Sequence, residues 1–300
     1  MELPVNFFKR KLLAGEQQIG LWISLASVYS TEIVAGAGFD WGVLDTEHSP
    51  NEVTDILPQL LAMSAYTMSP VVRIAWNDKV LMKRHLDQGA QTILVPYVSN
   101  PSEALAAIAS MRYPTRGVRG VAGVTRASRF GRVKEYAKRA EDELCLLVQA
   151  ETRQAVDNVE AIANLDGIHG VFIGPADLAA ALGHLGDPGH PEVQVTIRRT
   201  IERIRSCKKA AGILATDEAS ARRYMEWGTT FTAVGLDAMV LARELEKIAV
   251  TYRGQARAEQ VEVARPIQAD RLEQNARILA LGRVIEAQKK LIRALLKKGE

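Results

Sequence analysis

The chain has 300 residues, enough for one α/β barrel of about 250, and its 47% apolar and 24% charged residues suit a globular core rather than a disordered or collagen-like chain. No apolar run approaches the roughly 18 residues of a membrane span, the N-terminus Met1-Glu2-Leu3-Pro4 lacks the basic-then-apolar pattern of an export signal, and two cysteines exclude a disulfide framework and a four-cysteine zinc site. The net charge of +3 is uneven: residues 255–300 carry ten Lys/Arg against six Asp/Glu, and the first 254 carry 28 against 29, so the body offers no basic footprint for nucleic acid and a cytoplasmic location is expected.

Eight apolar runs of strand length follow one another along the chain: Ile19–Ile23, Trp41–Asp45, Pro70–Ile74, Thr92–Pro96, Leu144–Ala150, Gly170–Gly174, Ala211–Ala215 and Phe231–Asp237. They are continuous rather than alternating, the pattern of parallel strands buried on both faces. Amphipathic helices are predicted between them, over 30–38, 51–63, 78–88, 101–111, 153–164, 191–209, 217–228 and 238–250. Ser49-Pro50 and Asn100-Pro101 read as helix starts, and Gly89 and Gly228 as helix ends. Eight strand–helix units within 1–254 predict an α/β fold, a (β/α)8 TIM barrel. A doubly wound sheet is the alternative, but the first strand runs into Leu21-Trp22-Ile23-Ser24 with no G-x-G-x-x-G for a dinucleotide.

Two stretches break this rhythm. Residues 112–143 form a long arginine-rich connection (Arg112, Arg116, Arg119, Arg126, Arg129, Arg132), read either as a solvated loop or as an anion-binding or subunit-contact segment. Residues 255–300 read as an appended C-terminal helix, with Ile278, Leu281, Ile285, Ile292 and Leu295 at heptad-like spacing and Gln288 interrupting. It is expected to be an assembly element, an engineered fusion or a natural extension.

In such a barrel the reactive groups gather at the C-terminal strand ends. In order these ends carry Trp22 and Ser24; Asp45, Glu47 and His48; Arg73, then Trp76; Pro96 and Tyr97; Gln149 and Glu151; Pro175 and Asp177; Thr216 and Asp217; and Asp237. Glu151 and Asp177 could hold a hard divalent cation, or each could cap the helix that follows it. His48 lies at a strand end among acidic residues and is a candidate general base. Arg73, closing an apolar strand, suits bidentate capture of a carboxylate. The other histidines, His85, His169, His184 and His190, read as solvated. No lysine lies in or at the end of any strand run, which excludes a Schiff-base mechanism, so an enolate would need a metal. Cys145 reads as core filler and Cys207 as inert.

The segments Leu44-Asp45-Thr46-Glu47-His48-Ser49-Pro50, Pro70-Val71-Val72-Arg73, Leu147-Val148-Gln149-Ala150-Glu151-Thr152 and Val171-Phe172-Ile173-Gly174-Pro175-Ala176-Asp177-Leu178 together resemble the HpcH/HpaI aldolase family, over roughly residues 5–253. The resemblance implies a metal-dependent class II pyruvate aldolase on a (β/α)8 barrel. It would cleave 4-hydroxy-2-oxo acids, such as 4-hydroxy-2-oxoheptanedioate or a 2-dehydro-3-deoxyglucarate-type sugar acid, to pyruvate and an aldehyde. The cofactor would be Mg, Mn or Co, and the assembly a homohexamer (a dimer of trimers) exchanging a terminal helix. By the same resemblance His48 is the catalytic base, Asp87 the carboxylate raising its basicity, and Arg73 the stabiliser of the enolate. Glu151 and Asp177 are the metal ligands, Gln149 and the backbone at Ala176 touch substrate, Trp22 lines the pocket, and Arg126 reaches substrate or a neighbouring subunit. Small-molecule 2-oxo acids and aldehydes, and further copies of the chain, are the partners implied, with no nucleic acid and no membrane. Two competing readings are an assembly scaffold built on the barrel, and another enolate chemistry such as a citramalyl- or malyl-CoA lyase, which would need a basic groove for the coenzyme phosphates.

Overall fold

The computed structural model describes residues 1–253. The chain divides into two compact units, 1–240 and 241–300, and the expected helical extension over 255–300 lies outside the described residues.

The first unit is a closed eight-stranded parallel barrel in sequential order. Its strands are β1 (Gln18–Ile23), β2 (Trp41–Asp45), β3 (Ser69–Arg73), β4 (Thr92–Val95), β5 (Cys145–Ala150), β6 (Gly170–Ile173), β7 (Ala210–Leu214) and β8 (Phe231–Leu236). All eight expected strands are present, each shifted by at most a residue or two. Strands β2, β4, β5 and β6 are buried at every residue, which is why their sequences run apolar without alternation.

Two cores follow from closing the sheet. Val72, Ile93, Val148, Val171 and Ile213 point outward and pack against the helices. Trp22, Trp41, Val43, Val71, Leu94, Leu147, Phe172 and Phe231 point inward and fill the barrel. The inward set keeps a period of two along each strand, so one step beyond Val43, Val71 and Leu147 come Asp45, Arg73 and Gln149. These polar residues form the uppermost inward layer, at the C-terminal mouth.

The helices follow the expected order with local differences. Helix α1 (Phe7–Ala14), which the strand–helix count leaves out, carries Phe8 and Leu12 into the inner core, with Phe8 against Trp41 and Phe231 at centroid distances of 5.7 and 5.9 Å. Its signals are present in the sequence: Asn6 caps it by accepting from the Lys9 N–H at 2.9 Å, and Gly15 ends it in the left-handed region. Next come α2 (Val28–Ala35) and α3 (Val53–Met63). The start of α3 is corrected: its cap is Glu52, in a capping box with Asp55, and not Ser49-Pro50. Helices α4 (Lys79–Asp87) and α5 (Pro101–Met111) follow, the latter capped by Asn100 with Pro101 in its first turn. Gly89 and Gly228 sit at positive φ just past their helices.

Within 112–143 lies α6 (Tyr136–Glu143), concealed in sequence by its charge. Three arginines of this connection are neutralised inside the chain: Arg112 by Glu141 and Asp166, Arg116 by Glu141, and Arg119 by Asp87. The helix predicted over 153–164 is two, α7 (Arg153–Asp157) and α8 (Val159–Ala163), parted at Asn158. Beyond β6 come α9 (Pro175–Ala181) and α10 (Pro191–Ser206), then α11 (Glu218–Glu226) and α12 (Asp237–Arg253), whose last residues belong to the second unit. No described helix is long and apolar enough to cross a membrane.

Candidate active site

The strand register places Asp45 beside Arg73 at the ends of β2 and β3. The Arg73 fork closes on Asp45 from Nε (2.8 Å) and Nη2 (2.6 Å), while Nη1 lies 2.6 Å from Glu47 Oε2 as a charge contact outside hydrogen-bond alignment. The Trp22 indole N–H also donates to Asp45, at 3.1 Å, and the guanidinium stacks 4.8 Å above the Trp22 ring. Burial works against ionisation of Asp45, but the Arg73 hydrogen bonds and charge, with the Glu47 N–H and the indole, outweigh it and hold the carboxyl below its usual range. The carboxylate that Arg73 captures here is thus the chain's own.

Glu47 is the opposite case. Burial pushes its carboxyl up to about 7, against the pull of Arg73 and with repulsion from Asp45 and Asp177. Its neighbour His48 is 63% exposed at the rim, with Nε2 3.8 Å from Glu47 Oε1, so the base candidate opens to whatever enters the mouth.

Glu151 and Asp177 come from the ends of β5 and β6, and Tyr97 joins them. The Tyr97 N–H donates to Glu151 Oε1 and its phenol to Asp177 Oδ1, both at 2.7 Å. Gln149 Nε2 donates to Glu151 Oε2 at 2.6 Å, leaving Gln149 Oε1 buried without a partner. Burial pushes the Glu151 carboxyl up to about 7, opposed by the Tyr97 N–H and reinforced by Asp177 and Glu47. Gly174 makes room for this carboxylate, since a Cβ there would lie 2.3 Å from Glu151 Oε2. Asp177 does not cap a helix: it lies in the first turn of α9, whose cap is Gly174. A buried carboxylate resisting ionisation, a second one beside it and an orphaned amide oxygen form a donor set that suits a hard divalent cation.

A cavity of about 240 Å³ opens here, lined by Trp22, His48, Arg73, Gln149, Glu151, Ala176 and Asp177 among others. A larger cleft of about 550 Å³ lies at the other ends of the strands, against Leu3, Met68, Pro70, Gln91 and Arg126, and contains neither carboxylate. The mouth, although the smaller hollow, is therefore the candidate site.

Two expected site residues are not brought to the mouth within this chain. Asp87, at the end of α4, accepts from Arg119 Nη2 at 2.9 Å, and the carboxylate facing His48 is Glu47. Arg126 donates to the Gln88 carbonyl at 2.7 Å and lines the lower cleft. The solvated reading of the other histidines is corrected at two positions. His85 is fully buried in α4, and His169 is largely buried with Nδ1 accepting from the Leu146 N–H at 3.1 Å. His184 and His190 stack at 3.5 Å with planes 15° apart beside Glu192. The group is bonded within itself, with His184 Nε2 2.8 Å from Glu192 Oε2 and His190 Nδ1 accepting from the Glu192 N–H at 3.2 Å.

Asp45, Glu47 and Tyr97 stand at strand ends in the sequence, but their parts become visible only from their partners. Asp237, also at a strand end, is structural: it accepts from the Ser24 N–H and hydroxyl, both at 2.9 Å.

Comparison with known proteins points to one family. The sequence profile of the HpcH/HpaI aldolase/citrate lyase family matches residues 18–243. A Rhizobium etli protein named pyruvate aldolase is 59% identical over 252 residues, covering 84% of this chain and 99% of that protein. A Salmonella dublin 4-hydroxy-2-oxo-heptane-1,7-dioate aldolase is 52% identical over 248 residues, covering 82% of this chain and 94% of its own length. Among solved structures, a HpcH/HpaI aldolase/citrate lyase family protein from Burkholderia cenocepacia superposes with a TM-score of 0.81 at 39% identity, over 83% of this chain and all of that one.

Proposed function

The chain belongs to the HpcH/HpaI aldolase/citrate lyase family and is a carbon–carbon lyase; on that premise we propose that it is a metal-dependent class II aldolase cleaving 4-hydroxy-2-oxo acids reversibly to pyruvate and an aldehyde. The observation that carries this reading is the pair Glu151 and Asp177, tied through one tyrosine at the mouth beside Arg73 and His48. Glu151 and Asp177 would hold the cation. A bound Mg, Mn or Co ion supplies Lewis acidity at a 2-keto oxygen.

The remaining chemistry belongs to the side chains. His48, exposed at the rim, takes the proton of the C4 hydroxyl as the C3–C4 bond breaks and the aldehyde departs, and protonation of the enolate at C3 then yields pyruvate. Arg73, buried and held rigid by Asp45 and Glu47, places positive charge where the pyruvate enolate develops. Such preorganised charge acts without reorganisation during the step. Trp22 and Phe172, packed at a centroid distance of 5.4 Å, floor the cavity and keep water from the enolate. Gln149 and the Ala176 backbone line the same hollow and bear on the substrate carboxylate. The absence of lysine from the strands argues against a covalent imine route. Asp87 and Arg126 are given no part in this step within a single chain.

The names of the similar proteins, pyruvate aldolase and 4-hydroxy-2-oxo-heptane-1,7-dioate aldolase, support a substrate among the 4-hydroxy-2-oxo acids. The test is pyruvate release from a panel of these acids. Turnover should vanish with excess chelator, return with Mn, Mg or Co, and be abolished by Glu151→Ala. Borohydride with pyruvate should leave the enzyme active, and a pyruvate adduct trapped on a lysine would overturn the proposal.

A further inference from the structure

Tyr97 stands apart from everything around it. It follows Pro96 at the end of β4 and adopts a φ of 54°, in the left-handed region that bulky side chains avoid. Such a conformation persists where surrounding contacts over-determine it. Here the contacts are the two carboxylates: the left-handed backbone aims the Tyr97 N–H at Glu151 Oε1, and the side chain then reaches Asp177 Oδ1, 80 residues further along the chain. Trp76 packs on the ring at a centroid distance of 5.8 Å with planes 31° apart. Glu151 receives one hydrogen bond on each oxygen, and Asp177 receives one on Oδ1 and, among the described residues, none on Oδ2. Three of the four carboxylate oxygens are thereby oriented, each retaining a lone pair for a cation.

We propose that Tyr97 is a positioning residue: its phenol and backbone N–H together preset Glu151 and Asp177 for a divalent cation before substrate arrives. This rests on the metal reading above. Groups that orient ligating carboxylates typically account for about 10–100-fold in metal affinity. The phenol is the separable half, because Tyr97→Phe keeps the ring against Trp76 and the backbone N–H on Glu151.

The experiment is titration of the full-length protein with Mn2+ alone, without substrate, followed by calorimetry or by the electron spin resonance of free Mn2+. Tyr97→Phe should raise the Kd about tenfold or more with the melting temperature nearly unchanged. In an Asp177→Ala background the same substitution should change the Kd less than twofold. Trp76→Leu, which retains the phenol, should leave the Kd within about twofold of the unaltered chain. A Tyr97→Phe Kd within twofold of the unaltered chain would overturn the proposal, as would a Trp76→Leu effect as large as that of Tyr97→Phe, which would assign the effect to ring packing. If the unaltered chain binds no Mn2+, the metal reading itself fails and this inference falls with it.

Discussion

Arg73 shows how much of the site is decided by single atoms. Its three guanidinium nitrogens face two carboxylates, and the planar fork matches Asp45 in a way an ammonium cannot. Arg73→Lys keeps the charge but loses the fork, leaving either Asp45 or Glu47 without its partner in a buried mouth. The expected outcome is a fall in kcat of about 10²–10³, typical for loss of one preorganised donor, with a smaller change in KM. Steady-state pyruvate release by the variant checks this. A kcat within threefold of the unaltered enzyme would remove Arg73 from the reacting centre.

At the scale of elements, the turn from β6 into α9 carries the site. Gly174 caps α9 with a φ of −92°, a conformation any residue adopts, so glycine is needed there for space and not for backbone freedom. Gly174→Ala would drive a methyl group against Glu151 Oε2 and Cβ, at 2.3 and 3.0 Å, and turn the carboxylate out of place. Mn2+ affinity should drop about tenfold or more, with little loss of thermal stability, because the clash bears on a side chain and not on the barrel wall. Isothermal titration beside a thermal melt separates the two effects. The same turn explains why Asp177 cannot serve as a helix cap: the helix begins at Pro175, and Asp177 falls in its first turn, with its carboxylate turned to Tyr97.

At the scale of the molecule, stability should depend on acid through a residue remote from the chemistry. His85 is fully buried, neither ring nitrogen has a partner in hydrogen-bond geometry, and burial lowers its pKa from 6.5 to about 4, with Gln88 opposing and Arg84 assisting. Between these values the unfolded chain binds a proton that the folded chain refuses. Stability contributed by neutral His85 is complete above about 6.5, falls as the pH drops, and is fully lost once the pH passes below about 4; the span amounts to about 3 kcal/mol. Glu47 and Glu151, raised to about 7, pull the other way and stabilise the fold as the pH falls, so the His85 contribution is read as a difference: from pH 7 to pH 4.5 the melting temperature of His85→Leu should rise relative to that of the unaltered chain. Parallel curves for the two chains would mean that His85 carries none of the acid dependence.

The eight-unit rhythm, the parallel barrel and the pool of strand-end residues were legible in the chain itself, because burial on both faces leaves continuous apolar runs and because the barrel confines polar groups to one rim. His48, Arg73, Glu151 and Asp177 came out of that rule. The local caps at Asn6 and Glu52 were also written in neighbouring residues, yet α1 is recognised as an element only once Phe8 is seen to fill the barrel floor. Partnership belongs to the closed structure alone. Whether Arg73 meets Asp45, whether Tyr97 joins Glu151 to Asp177, and whether Asp87 turns to Arg119 depend on register and on backbone positions 28 to 80 residues apart. Local sequence carries propensity and burial, whereas the distance between two charges exists only after the sheet has closed.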